Sequence, residues 1–219
     1  MLKLYGHRFS SYTWKALIPL YANETPFTFH DVDPGAAEGG ENIAFVHDAH
    51  PGKFFPVLVD GDERVVEATA IIEYLAVHYP GPAPLMPEDP AKAATARMLD
   101  RIFDNYVMGN GQKVVNAYIA NAASPDAVAV TAGKDGLRRA YAWLENWLAT
   151  NTLAPHVSLV TCAAAPSLFY ADWIERIPAD CPRVEALRAE ILALPPVESC
   201  VDDARAYRHY FPLGAPERD

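Results

Sequence analysis

Between Pro80 and Pro90 the chain carries five prolines in eleven residues. Each proline fixes φ and removes a backbone donor, so neither a helix nor a central strand survives there. The segment divides the chain. We expect a first domain over residues 1–80, a linker over 81–90 and a larger second domain over 91–219, both within ordinary domain sizes.

The two parts differ in periodicity. Leu2 to Tyr5 reads as a short strand, and Ser10 and Ser11 offer a cap to a helix whose apolar residues Trp14, Leu17, Ile18 and Tyr21 keep helical spacing. Phe27 to Val32 alternates with period two. Asp33 to His50 is glycine-rich and irregular, with one helical turn expected near Asn42 to His47. Pro56–Val59 and Arg64–Val66 flank a Gly61-Asp62 turn as two further strands, and Ile71, Ile72, Leu75 and His78 mark a helix. Beyond the linker the spacing predicts helices over about 91–120, 125–149, 158–175, 183–194 and 197–207. Gly109 and Gly111 are expected to kink or break the first of these, since a mid-helix glycine costs about 1 kcal/mol relative to alanine. The fold class expected is an α/β domain followed by an all-α domain.

Composition removes several function classes. Lysine and arginine number 18 against 28 aspartates and glutamates, a net charge of -10, whereas a nucleic-acid or anionic-membrane partner calls for a basic face. The stretch from Thr150 to Ala171 lacks charge, but its Pro155, Ser158, Thr161 and Pro166 make a poor membrane span. No apolar signal segment precedes the first strand. Cys162, Cys181 and Cys200 cannot all pair and none stands in a CxxC, which suits a reducing compartment. A cytoplasmic protein with neither nucleic acid nor membrane as partner is the expectation.

Three local patterns bear on chemistry. Ser10 and Ser11 follow a strand and loop and open a helix, where free N–H groups and a hydroxyl together favour a thiolate; the same hydroxyls also serve as ordinary caps. A shift of about two pKa units needs only about 2.7 kcal/mol. Pro56 heads a strand, and a cis bond there would turn the backbone N–H and C=O of Phe55 towards an extended peptide. Glu67, Ala68 and Thr69 begin a helix whose end suits a carboxylate. His47 and His50 sit on an acidic loop unsuited to a metal pair, and no metal is expected. Trp143 and Trp147 are read as packing aromatics.

In this order and spacing the three patterns resemble the glutathione transferase superfamily, with its thioredoxin-like N-terminal domain and helical C-terminal domain. Ser10-Ser11-x-x-Trp14-Lys15 is similar to the Ser-Ser-Cys-x-Trp-Arg signature of the zeta class. Phe55-Pro56-Val57-Leu58 is similar to the family's Val-cisPro-x-Leu, and Glu67-Ala68 to its Glu-Ser. Ser158 to Pro166 resembles the family's Ser-x-x-Asp capping box, with Thr161 for the aspartate, and Ala204 to Gly214 resembles the tail of a bacterial branch.

The resemblance implies a serine-type glutathione transferase, with glutathione as co-substrate and a homodimer as the assembly. Ser10 would stabilise the thiolate, with Ser11 as second candidate and Tyr5 as a third. Phe55, ahead of Pro56, would pair its backbone with the cysteinyl unit, Lys53 would meet the glycyl carboxylate, and Glu67 and Ala68 would hold the γ-glutamyl end. Tyr12, Tyr106 and Met108 would line the pocket for a small hydrophobic electrophile. Position 68 is alanine where the family has serine, and Thr69 is the expected substitute for the missing hydroxyl. Tyr12 stands where the zeta class has cysteine. A glutathione-dependent isomerase, dehalogenase or ether-cleaving enzyme, or a non-catalytic binding protein of the same fold, are the alternatives. A thioredoxin-type oxidoreductase is disfavoured because the first loop has no cysteine.

Overall fold

The alternation read before the linker produces a four-stranded sheet. In the computed structural model, which describes residues 1–219, β1 (Leu2–Gly6), β2 (Phe27–Asp31), β3 (Val57–Asp60) and β4 (Glu63–Val66) stand in the order β2-β1-β3-β4. β1 runs parallel to β2 and antiparallel to β3, and β3 and β4 form a hairpin. The parallel pair requires a crossover, supplied by α1 (Ser11–Ala22). With α3 (Ala68–His78) it buries Trp14, Leu17, Ile71 and Ile72 against the sheet. This is the thioredoxin-like arrangement.

The segment read as irregular contains a full helix, α2 (Gly39–Ala49). Its signal is weak because only Gly39, Asn42 and Val46 are buried, too narrow a stripe to stand out by period. Val46 joins Tyr5, Val32 and Val57 in a small separate cluster on the other sheet face.

The second half is helical: α4 (Pro90–Ile102), α5 (Gly109–Ala120), α6 (Ala127–Leu148), α7 (Leu159–Ile174), α8 (Pro182–Leu192) and α9 (Pro195–Ala204), then a 3-10 segment (Arg205–Tyr210). The uncharged stretch becomes α7, buried along almost its whole length. No helix is long and apolar enough to cross a membrane. Ser158 and Thr161 meet hydroxyl to hydroxyl at 3.4 Å, and Thr161 donates to the His156 carbonyl. Trp147 packs against the core, but Trp143 is exposed.

The expected break at Gly109 and Gly111 does not occur. The irregularity lies just before them, where Phe103–Met108 forms a π turn between α4 and α5. Gly111 serves close packing instead, since a Cβ there would lie 3.0 Å from Ile174 Cδ1.

One core serves both halves. A cluster of 43 buried apolar residues runs from Leu2 and Trp14 through Leu99 and Phe103 to Val201 and Phe211, so no solvent gap separates sheet from bundle. Between Pro80 and Asp89 there is neither helix nor strand. That stretch is pinned by Asn23 bonded twice to Ala83 and by the Leu85 carbonyl accepting from Leu159 N–H at 2.8 Å.

Candidate functional site

Ser10, Ser11, Phe55, Pro56, Glu67 and Ala68 meet at one place because the end of β1 and the starts of β3 and α3 lie at the same edge of the sheet. Ser10 ends the β1–α1 loop in extended conformation, and its Oγ accepts from Thr13 N–H at 3.3 Å. It is therefore the cap of α1, while Ser11, the first helical residue, keeps its hydroxyl unbonded. The loop is held from several sides. Ser10 N–H donates to the His7 carbonyl (2.9 Å), Phe9 N–H to His7 Nδ1 (3.1 Å), Trp14 Nε1 to the Arg8 carbonyl (2.7 Å) and the Tyr170 hydroxyl to the Phe9 carbonyl (2.8 Å). Because His7 Nδ1 accepts, its Nε2 carries the proton and donates to Asp33 Oδ2 at 3.3 Å.

The Phe55–Pro56 peptide bond is cis. The N–H and C=O of Phe55 make no hydrogen bond within the chain, leaving both for an extended partner. Glu67 precedes α3 with φ of +69°, a backbone region non-glycine residues rarely occupy, and such outliers gather at functional sites. No side chain caps α3. His50 Nδ1 accepts from Gly52 N–H at 2.9 Å, so its Nε2–H donates to Glu67 Oε1 at 3.2 Å.

These residues line a cavity of about 910 Å³. One wall is Ser10, Ser11, His50, Phe54, Phe55, Pro56, Glu67 and Ala68; the other is Tyr12, Arg101, Asp104, Asn105, Met108 and Gln112; Tyr210, Phe211 and Pro212 of the C-terminal tail close one end. Tyr12 is a neutral donor there, its hydroxyl pushed up to about 12 by burial and by the nearby Asp104 carboxylate. A second hollow of about 450 Å³, between the end of α6 and α8, lies away from all of them. No group of three or more His, Cys, Asp or Glu is placed to hold a metal ion.

Several placements differ from those expected. Lys53 takes φ of +59° and points into solvent, outside the cavity wall, where His50 and Phe54 stand instead. Tyr106 is 57% exposed and also lies outside. The π turn is the reason: its extra residue turns Asp104, Asn105 and Met108 inward and leaves Tyr106 on the outer face. Tyr5 is buried between the rings of His30 and Phe45, at 4.4 and 4.2 Å, and does not reach the cavity. Thr69 cannot substitute for the missing hydroxyl at position 68, because its Oγ1 accepts from Lys15 Nζ at 3.0 Å and donates to Asp100 Oδ2 at 3.0 Å.

That last contact belongs to a buried cluster joining the two halves. Lys15 Nζ donates to Asp100 Oδ1 at 2.7 Å and to both oxygens of Asp104 at 2.8 and 2.7 Å. Arg101 joins the same carboxylates from the cavity side. Burial pushes the Asp104 carboxyl above the usual carboxylate range, with Lys15 pulling the other way. In the sequence Lys15 stands out only as part of a signature, and Asp100, Arg101 and Asp104 do not stand out. No local pattern marks them, since Lys15 lies 85 and 89 residues from its acids.

Comparison with known proteins accords with the fold. The family described as glutathione S-transferase, N-terminal domain, matches residues 4–83. A probable maleylacetoacetate isomerase of Vibrio cholerae is 26% identical over 200 residues, covering 89% of this chain and 92% of that one. FtsZ-localized protein A of Caulobacter vibrioides is 31% identical over 140 residues, 59% of this chain and 61% of its own. A glutathione S-transferase structure from Methylobacillus flagellatus with glutathione bound superposes with a TM-score of 0.74 at 18% identity, covering 91% of this chain and 98% of that one.

Proposed function

We propose that this chain, which belongs to the glutathione S-transferase superfamily, binds glutathione in the 910 Å³ cavity and activates its thiol for attack on a small electrophile. The observation that carries the reading is the convergence on one wall of three features far apart in sequence. They are the hydroxyls at the start of α1, the unbonded backbone of Phe55 and the uncapped start of α3. A γ-glutamyl tripeptide laid along that wall meets α3 with its γ-glutamyl end, Phe55 with its cysteinyl unit and α1 with its sulfur. Partial positive charge at the start of α1 and a serine hydroxyl then favour the thiolate. Tyr12 and Met108 face the space left for the electrophile. Calorimetric titration should give saturable one-to-one binding of glutathione at millimolar concentration or below. No heat of binding at millimolar glutathione would overturn the reading.

A second reading, a binding protein of the same fold without turnover, is favoured by Ala68 and by the engagement of Thr69. Glutathione binding with no thioether formed from any of a panel of aryl halides, alkyl halides and enones would select it. The isomerisation named for the Vibrio relative belongs to the same panel, assayed on a cis-enone.

We also propose a two-fold homodimer, the α/β half of one subunit against the helical half of its partner. Phe54, 67% exposed, supplies apolar surface on the first half, and Met98 and Tyr106 supply it on the second. Light scattering at micromolar concentration should give twice 24.0 kDa; a value at the monomer mass would refute the dimer.

A further inference from the structure

We propose that Arg101 takes over the contact to the γ-glutamyl α-carboxylate that Ala68 cannot make, so that the amino-acid end of glutathione is held from the helical half of the molecule. This inference rests on the glutathione reading above.

Ala68 lines the cavity without a hydroxyl, and the neighbouring Thr69 Oγ1 is saturated by Lys15, Asp100 and Arg101. A carboxylate placed at the start of α3 therefore lacks a side-chain donor from α3 itself. Arg101 stands at the same end of the cavity, since its Nη2 already donates to Thr69. Its Nε donates to Asp100 Oδ2 at 3.0 Å, and its Nη2 also reaches Asp100 and, at 2.8 Å, Asp104 Oδ2. Nη1 makes no bond within the chain, and 49% of the side chain is exposed. Two N–H donors of a planar fork thus remain unbonded on a residue that lines the cavity.

Two properties suit that nitrogen to a carboxylate. Asp100, Asp104 and Thr69 hold the guanidinium plane, so little rotamer freedom remains to be lost when a ligand arrives. The cluster is also balanced, Lys15 and Arg101 against Asp100 and Asp104, so an added anion meets no net negative charge from it. The exposed Glu67 side chain lines the same cavity as acceptor for the ammonium on the same carbon. The recognised chemistry is the zwitterionic head of an α-amino acid.

The test is calorimetry on the full chain with two ligands: glutathione, and an analogue with 4-aminobutyryl in place of γ-glutamyl, which lacks only the α-carboxylate. Arg101→Gln should weaken glutathione roughly 10–100-fold, the range of one hydrogen bond to a charged group, and weaken the analogue less than about threefold. Ala68→Ser should recover part of the loss in the Arg101→Gln background, and Arg101→Lys, which keeps the charge without the fork, should fall between. Equal weakening of both ligands means that Arg101 only maintains the fold of the site, and overturns the proposal. Unchanged glutathione binding in both Arg101 variants overturns it too, while leaving the glutathione reading intact. Failure of the wild type to bind glutathione removes both readings together.

Discussion

Lys15→Met should lower the unfolding free energy by about 3–5 kcal/mol, the range for breaking a buried ion pair from one side. For a chain of this size that is a fall of roughly 6–20 °C in Tm. Methionine keeps the length of the side chain but removes the ammonium, leaving Asp100 and Asp104 buried with Arg101 as their only cation. The loss should grow with pH. Asp104 already has a carboxyl raised above its unfolded value, burial being the main cause, so the folded state binds its proton more tightly than the unfolded chain does. Stability therefore falls as pH rises from the ordinary carboxylate value through the folded one, and removing Lys15 widens that window. Urea unfolding at pH 7 and at pH 4 checks this: the variant should lose more at pH 7. Lys15→Met with Asp104→Asn should recover part of the loss, because the two sites share one network. A change below about 1 kcal/mol at pH 7 would show that the cluster is solvated and the burial argument wrong.

Ser10→Ala should raise the pKa of bound glutathione's thiol by roughly one to two units, since one charge-assisted hydrogen bond is worth about 1.5–3 kcal/mol. Turnover near neutral pH should fall in step, about 10–100-fold. The capping role adds a second effect: Ser10 Oγ accepts from Thr13 N–H, so the same variant should lose about 1 kcal/mol of stability. A capping oxygen still has its proton to donate, so the two roles coexist. Ser11 caps nothing, and Ser11→Ala should leave stability unchanged and move the pKa less. Thiolate absorbance titrations and thermal melts on both variants separate the roles. If Ser11→Ala raises the pKa while Ser10→Ala only lowers Tm, the activating hydroxyl is Ser11.

The α/β half was legible because its signals are local. Alternation marks strands, Ser10 and Ser11 mark a helix start, and Pro56 and Glu67 sit where short-range geometry is decided. α2 escaped because it buries so little. Two residues expected at the site lie outside it, each for a reason of local backbone geometry. Tyr106 rests on the family resemblance alone, and the π turn at Phe103–Met108 leaves it on the outer face. Lys53 was placed by its charge and position in the chain, but its left-handed backbone turns it away. Arg101 and Asp104 had no signal at all, because a charged residue on a helix reads as a solvated face until the fold supplies Lys15 beneath it.

The Lys15 cluster also sets how this chain can be recombined. A hybrid built by joining residues 1–80 to the helical half of a relative could keep the linker's bonds, because Asn23 meets only the backbone of Ala83 and Leu85 only that of Leu159. It would still fail if positions 100 and 104 arrived without carboxylates, because Lys15 would then be a buried cation with no counterion. The reverse exchange would strand two acids. Positions 15, 100 and 104 therefore travel as one unit across the breakpoint, and the two halves are not interchangeable parts.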